Sequence, residues 1–265
     1  MGYLHKGHIS LVRESKKLSD VIFVSIFVNP AQFSPNEDLT KYPRDFEADQ
    51  KLLENEEVDY LFYPTSEEIY PQNFQTYVEV KEITKILEGE FRPTHFAGVT
   101  TIVSMLFNII QPDFAFFGQK DAQQVAVIKQ VVKDLKYAIK IIVCPIMREP
   151  DGLAMSSRNV YLDVNEREDA LVLYRALLLA EQLIKNGLRN SEKIKLKMLD
   201  IINSVDSSHL DYIEIVEEEN FVPMKELKTN DTYLILIACK IGKTRLIDNI
   251  IVIETGPGQK IRISN

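Results

Sequence analysis

Val21-Ile22-Phe23-Val24-Ser25-Ile26-Phe27-Val28 is an unbroken run of β-branched and aromatic residues. It predicts a strand buried on both faces, the habit of a parallel sheet. Before it, Ile9, Leu11, Val12 and Leu18 mark one face of a short helix. After it the same alternation continues. A helix is expected over 44–55, with Phe46, Leu52 and Leu53 on its apolar side, then a short strand at 60–62 and an alternating strand at 76–80. A long apolar helix over 95–110 stops before Pro112, and strand 114–117 ends at Gly118. A helix over 121–135, with Asp121 as a candidate N-cap, leads to strand 139–143, ended by Pro145. Strand–helix alternation of this kind predicts an α/β fold with a Rossmann-like, doubly wound parallel sheet and ligands at the C-terminal strand edges.

Past residue 158 the pattern changes. Helices are expected over 166–186, with Gly187 as C-cap, and over 192–203, followed by strands at 212–216, 233–238 and 246–252. The sequence therefore divides into a Rossmann-like domain, 1–148, and a smaller α/β domain, 149–253, containing an antiparallel sheet and closing over the site. Residues 254–265, with Gly256-Pro257-Gly258, read as a tail. Lys and Arg number 31 against 39 Asp and Glu, for a net charge of −8. That balance opposes sequence-independent nucleic-acid binding, which needs a basic footprint. Cys144 and Cys239 lie in apolar, strand-like runs and read as buried reduced thiols of a cytoplasmic protein. No run reaches the length of a membrane span, and the start lacks a charged-then-apolar signal pattern.

Residues able to do chemistry gather at the expected sheet edges. His5-Lys6-Gly7-His8 opens a helix. Backbone N–H groups and the dipole there favour an anion, and Gly7 lets a phosphate come close. Imidazoles at that point donate to phosphate oxygens as charge builds on the α-phosphorus and leaving pyrophosphate. As a bare string, His5 and His8 read equally as capping or surface residues. Asn29 and Gln32, in Asn29-Pro30-Ala31-Gln32-Phe33, offer neutral partners for hydroxyls and a carboxylate, or form an ordinary polar loop. The 29–43 segment is either a lid or a plain surface loop. In Gly118-Gln119-Lys120-Asp121, Lys120 places a point charge on phosphate, and Asp121 accepts from ribose or caps the helix, with Gln124 one turn further on. This is not a Walker A loop. Ser156-Ser157-Arg158 suits phosphate or is a solvated loop. His95, near Arg92, is a cap or a second anion contact; His209 reads as structural. No Cys/His cluster has metal-ligand spacing, and no nucleophile elbow is present.

Taken in order, these segments resemble the pantoate–β-alanine ligase (pantothenate synthetase) family. The resemblance is carried by Met1-Gly2-Tyr3-Leu4-His5-Lys6-Gly7-His8, Ser25-Ile26-Phe27-Val28-Asn29-Pro30-Ala31-Gln32-Phe33, Tyr42-Pro43-Arg44, His95-Phe96-Ala97-Gly98-Val99, Phe117-Gly118-Gln119-Lys120-Asp121, residues 151–159 and Arg245-Leu246-Ile247-Asp248-Asn249. It implies a nucleotidylyltransferase-type domain with a smaller α/β domain, paired as a homodimer. The activity it implies joins pantoate to β-alanine with ATP and magnesium, through a pantoyl adenylate, releasing AMP and pyrophosphate. His8 would be the general acid, with His5 and Lys120 completing the catalytic set. ATP contacts would come from Met1, Gly2, Tyr3, Leu4, His5, Lys6, Gly7 and His8, then Gly118, Gln119, Lys120 and Asp121. Met147 would meet adenine through its backbone, and Met155, Ser156, Ser157 and Arg158 would close on the triphosphate. Gln32 and Gln124 would hold pantoate, with Gln32 also near β-alanine and Asn29 beside it. The resemblance further implies a strand, a helix and a second strand ahead of Met1, so the chain is expected to lack the strand presenting His5 and His8. A nucleotide-binding remnant with impaired turnover is the alternative on that ground. Another H-x-G-H nucleotidylyltransferase or a class I aminoacyl-tRNA synthetase fragment is a further reading; the acidic balance and missing RNA-binding appendage oppose the synthetase.

Overall fold

The computed structural model describes residues 2–34, 37–228, 231–253 and the backbone of 262–264. It falls into two compact units, Met1–Gly118 with Ala122–Cys144, and Gln119–Asp121 with Pro145–Asn265.

The first unit runs α1 (Lys6–Ser15), β1 (Phe23–Ser25), α2 (Phe46–Asn55), β2 (Tyr60–Phe62), α3 (Ser66–Ile69), α4 (Glu88–Phe91), α5 (His95–Ile110), β3 (Phe114–Gly118), α6 (Ala122–Leu135) and β4 (Lys140–Cys144). β1 pairs parallel with β2, and β3 with β4, Gly118 lying opposite Cys144. Helices on these parallel pairs make the expected α/β layering. Ile9 and Val12 of α1 pack with Ile22, Val24, Ile26 and Leu53, while Val99 and Phe107 of α5 meet Ile128 of α6 over β3 and β4. α5 has its expected bounds and ends in Gln111 at φ 50, one residue before Pro112.

Three expectations change. The 21–28 run is not buried on both faces: Ile22, Val24 and Ile26 are 3–6% exposed, but Val21 and Phe23 are 59% and 37% exposed. Strand geometry turns alternate residues to opposite faces, and on the outer face Phe23 stacks on Tyr60. Leu18 likewise lies beyond α1 and is exposed. Residues 76–80 form no strand. Side chains bond to this backbone instead: Val78 N–H donates to Thr101 Oγ1 of α5 at 3.0 Å, the Thr100 hydroxyl of α5 donates to the Val78 carbonyl, and the Thr84 hydroxyl donates to the Val80 carbonyl.

The second unit contains α7 (Val164–Lys185), α8 (Ser191–Ile202) and the antiparallel strands β5 (Ser208–Glu217), β6 (Thr232–Ile241), β7 (Thr244–Ile253) and β8 (Arg262–Ser264), ordered β5-β6-β7-β8. Gly187, at φ 93, ends α7 as the Gly C-cap reading expects. Leu173 and Leu177 of α7, Ile194 and Met198 of α8, and Ile235 and Ile237 of β6 share one fully buried cluster. Of the stretch read as a tail, the backbone of Arg262–Ser264 pairs with Ile251–Ile253; residues 254–261 and 265 lie outside the described residues. The division between units falls at 144/145 rather than 148, because Arg148 stacks on Tyr174 of α7 and pairs with Asp248 of β7.

Candidate active site

In the first unit the histidine turn is built from backbone amides. The Asp49 carboxylate, on α2 and 2% exposed, accepts from Tyr3 N–H at 2.8 Å and Leu4 N–H at 2.5 Å. Burial pushes its pKa up, against the lowering effect of the Leu4 and Tyr3 amides. Tyr3 sits at φ 52, which turns the chain into α1. His5 is the N-cap of that helix. Its Nδ1 accepts from Gly7 N–H at 3.1 Å, and His8 Nδ1 accepts from His5 N–H at 3.2 Å. The rings lie 4.0 Å apart. A backbone N–H can only donate, so each Nδ1 is an acceptor and each neutral ring carries its proton on Nε2. The two readings of the pair are therefore compatible: one nitrogen caps, and the other is a donor. Met1, an expected nucleotide contact, lies outside the described residues.

The Pro30–Gln32 turn is fixed in the same unit. Asn29 is 2% exposed. Its Oδ1 accepts from Ala31 N–H and the Tyr70 hydroxyl, and its Nδ2 donates to the Gly98 carbonyl. Asn29 thus shapes the turn that displays Gln32. Burial lifts the Tyr70 phenol to about 12, outweighing the opposing bond to Asn29. The Gln32 carbonyl accepts from His95 Nδ1 at 3.1 Å, and Arg92 pairs with Glu37 at 2.6 Å. Arg92 also lies 3.4 Å from His95 Nε2, so the His95 proton sits on Nδ1, the reverse of His5 and His8. Of the neighbouring glutamines on α6, Gln123 is spent inside, holding Glu88 N–H and the Ile83 and Ile86 carbonyls, while Gln124 is only half-buried.

Gly118 ends β3 in the first unit, and the second unit holds the other expected contacts. Gln119–Asp121 is a 3-10 turn, so α6 begins at Ala122, one residue after the expected cap Asp121. Asn249 of β7 donates to the Gln119 and Lys120 carbonyls, each at 3.0 Å. Met147 and Met155 face each other across a hairpin, with Met155 N–H on the Met147 carbonyl at 2.9 Å. Ser156 then caps a second 3-10 turn, Ser157–Tyr161, accepting from Arg158 N–H; Ser157 is buried. Asp49, Tyr70, Glu37 and Asn249 escaped the sequence reading as site-building residues. The available signals were an acid, Asp49, one helical turn before Leu53 on the inward side of α2, and the place of Asn249 in the Arg245–Asn249 motif. Among the described residues no group of three or more His, Cys, Asp or Glu could hold a metal ion, and no helix is long and apolar enough to cross a membrane.

A family model described as pantoate-beta-alanine ligase matches residues 1–251. The chain is 57% identical to a pantothenate synthetase of Caldicellulosiruptor saccharolyticus over 95% of its own length and 89% of that protein's. It is 54% identical to one of Thermotoga petrophila over the same shares. Among solved structures, a pantothenate synthetase from Thermus thermophilus superposes with TM-score 0.90 at 41% identity, covering 94% of this chain and 90% of that one. The Francisella tularensis pantoate-beta-alanine ligase, complexed with beta-gamma ATP and beta-alanine, gives 0.75 at 40% identity, covering 97% and 89%.

Proposed function

The chain belongs to the pantoate–β-alanine ligase family, and from that premise we propose that it condenses (R)-pantoate with β-alanine, consuming ATP and releasing AMP and pyrophosphate. It is an AMP-forming acid–amine ligase. A pantoate carboxylate oxygen attacks the α-phosphorus, the bond to pyrophosphate breaks, and pantoyl adenylate forms. The β-alanine nitrogen then attacks the activated carbonyl carbon, loses a proton, and AMP leaves. Positioning and charge stabilisation carry both steps.

The observation that supports this reading most is the paired cap of His5 and His8. With each Nδ1 engaged by an amide, the Nε2–H groups are the donors for oxygens that gain charge in the first step. Lys120 adds a point charge at the phosphates, Met155, Ser156, Ser157 and Arg158 follow the triphosphate, and Gln32 and Gln124 hold pantoate. No metal cage is found among the described residues. Magnesium would reach the site on the nucleotide's own phosphates, as that ion prefers. A cytoplasmic homodimer is the proposed form. The test is pantoate-dependent exchange of labelled pyrophosphate into ATP. Exchange that requires pantoate and ignores other carboxylic acids supports the activity; its absence sinks it.

A further inference from the structure

We propose that Asp248 and Asn249, adjacent in the middle of β7, are positioning residues that hold two nucleotide-facing segments of the second unit in register: the Lys120 turn and the hairpin bearing Met147 and Met155. The proposal rests on the nucleotide roles assigned above.

Both residues are anomalous for their place. Asp248 is 4% exposed and Asn249 1% exposed, between Leu246 and Ile250 in a strand interior. Burying an amide or a carboxylate is costly unless it is fully hydrogen-bonded, and neither residue favours strands. Their cross-strand neighbours on β6 are apolar, Ile237 and Leu236, so those neighbours offer their side chains no polar partner.

Their partners lie elsewhere in the unit. Asn249 Nδ2 donates to the Gln119 and Lys120 carbonyls, and Asn249 Oδ1 accepts from Gln119 Nε2 at 3.0 Å. One amide thus fixes two consecutive peptide units of the turn that carries Lys120. Asp248 takes both ends of the Arg148 guanidinium, at 2.6 and 3.0 Å, and accepts from Asn249 N–H at 2.8 Å. Arg148 in turn donates to the Gly152 carbonyl and lies 4.1 Å over the Tyr174 ring. It pairs across the hairpin with Ala154, beside the Met147–Met155 bond. A single backbone step on β7 therefore links the two segments. A planar bidentate pair and a doubly donating amide each set orientation as well as distance.

The decisive variant is Asn249→Asp. It keeps the size but sets oxygen against two carbonyl oxygens, removing both donors. In pyrophosphate exchange, the KM for ATP should rise about tenfold or more, as misplacement of a binding group does, while the KM for pantoate stays within about twofold. Calorimetric ATP affinity should weaken by a similar factor. In a Lys120→Ala background, Asn249→Asp should add less than about twofold, because residues acting through one another are non-additive. A folded Asn249→Asp protein with unchanged ATP KM and affinity, or a full multiplicative loss on top of Lys120→Ala, overturns the proposal. If Asn249→Asp does not fold, Asn249→Ser, which keeps one donor, is read the same way and should show an intermediate loss. Wild-type protein that binds ATP without exchange would defeat the proposed activity, yet the calorimetric comparison would still decide the role of Asn249.

Discussion

The proposed role of His8 gives one ring two purposes. Nδ1 takes the His5 amide and closes a reciprocal cap on α1, and in the proposed reaction Nε2 would offer its proton to phosphate. His8→Ala removes both. Exchange should fall on the order of a hundredfold or more, and the lost cap should cost about 1 kcal/mol. His8→Gln separates the two effects, since Gln at this position restores a capping box. Urea midpoints near wild type with exchange still depressed are the expected result; near-normal exchange in His8→Gln would refute the donor role. At this scale the histidine pair was legible because its spacing and its place at a helix start are local. Asp49 was not. Its meaning depends on amides 45 and 46 residues away, and a lone acid on an amphipathic helix gives no local sign of them.

The start of α5 supports the Pro30–Gln32 turn so closely that Gly98 has no room to change. A Cβ there would lie 2.4 Å from the Ala31 carbonyl oxygen and 2.7 Å from Gln32 nitrogen. Gly98→Ala should therefore push the turn away, cost about 1–3 kcal/mol, and raise the KM for pantoate about tenfold without weakening ATP binding. An unchanged pantoate KM would break the link between this contact and Gln32. Glu37 clamps the same region through Arg92. Burial raises its pKa, but the Arg92 hydrogen bonds and charge, with help from Ser34, bring it below the ordinary carboxylate value. The unfolded chain then holds this proton up to higher pH than the folded one. The stabilisation is thus present above about pH 4.3 and is lost as pH falls through the lower folded value. Glu37→Gln should cost about 1 kcal/mol at neutral pH, with the gap to wild type closing on acidification in urea melts; a gap constant down to strong acid counts against the clamp. The bounds of α5 could be read because a long apolar run before Pro112 admits few alternatives. The exposed face of β1 and the unladdered 76–80 segment could not, since each depends on which neighbours lie beside it.

The two units differ in how their apolar residues are pooled. In the second, α7, α8 and the β5–β7 meander share one extended core, whereas the first carries separate smaller clusters. The alternation that predicted a parallel α/β domain, and the change past residue 158 that predicted an antiparallel one, come from periodicity and were open to reading. That Gln119–Asp121 belongs with the second unit was not, because the bond responsible, Asn249 to the Gln119 carbonyl, spans 130 residues. Separate cores predict separate cooperativity. Leu177, fully buried in α7, provides the test. Leu177→Ala should destabilise the second unit by about 2–5 kcal/mol, the usual cost of such a cavity. Native-state hydrogen exchange at Ile235 and Ile237 of β6 should accelerate accordingly, while Ile128 of α6 keeps its wild-type protection. Calorimetry should show one transition moving and the other fixed. If Ile128 accelerates in step with β6, the molecule unfolds as a single body, and a local fault in the antiparallel unit is felt equally at the histidine turn.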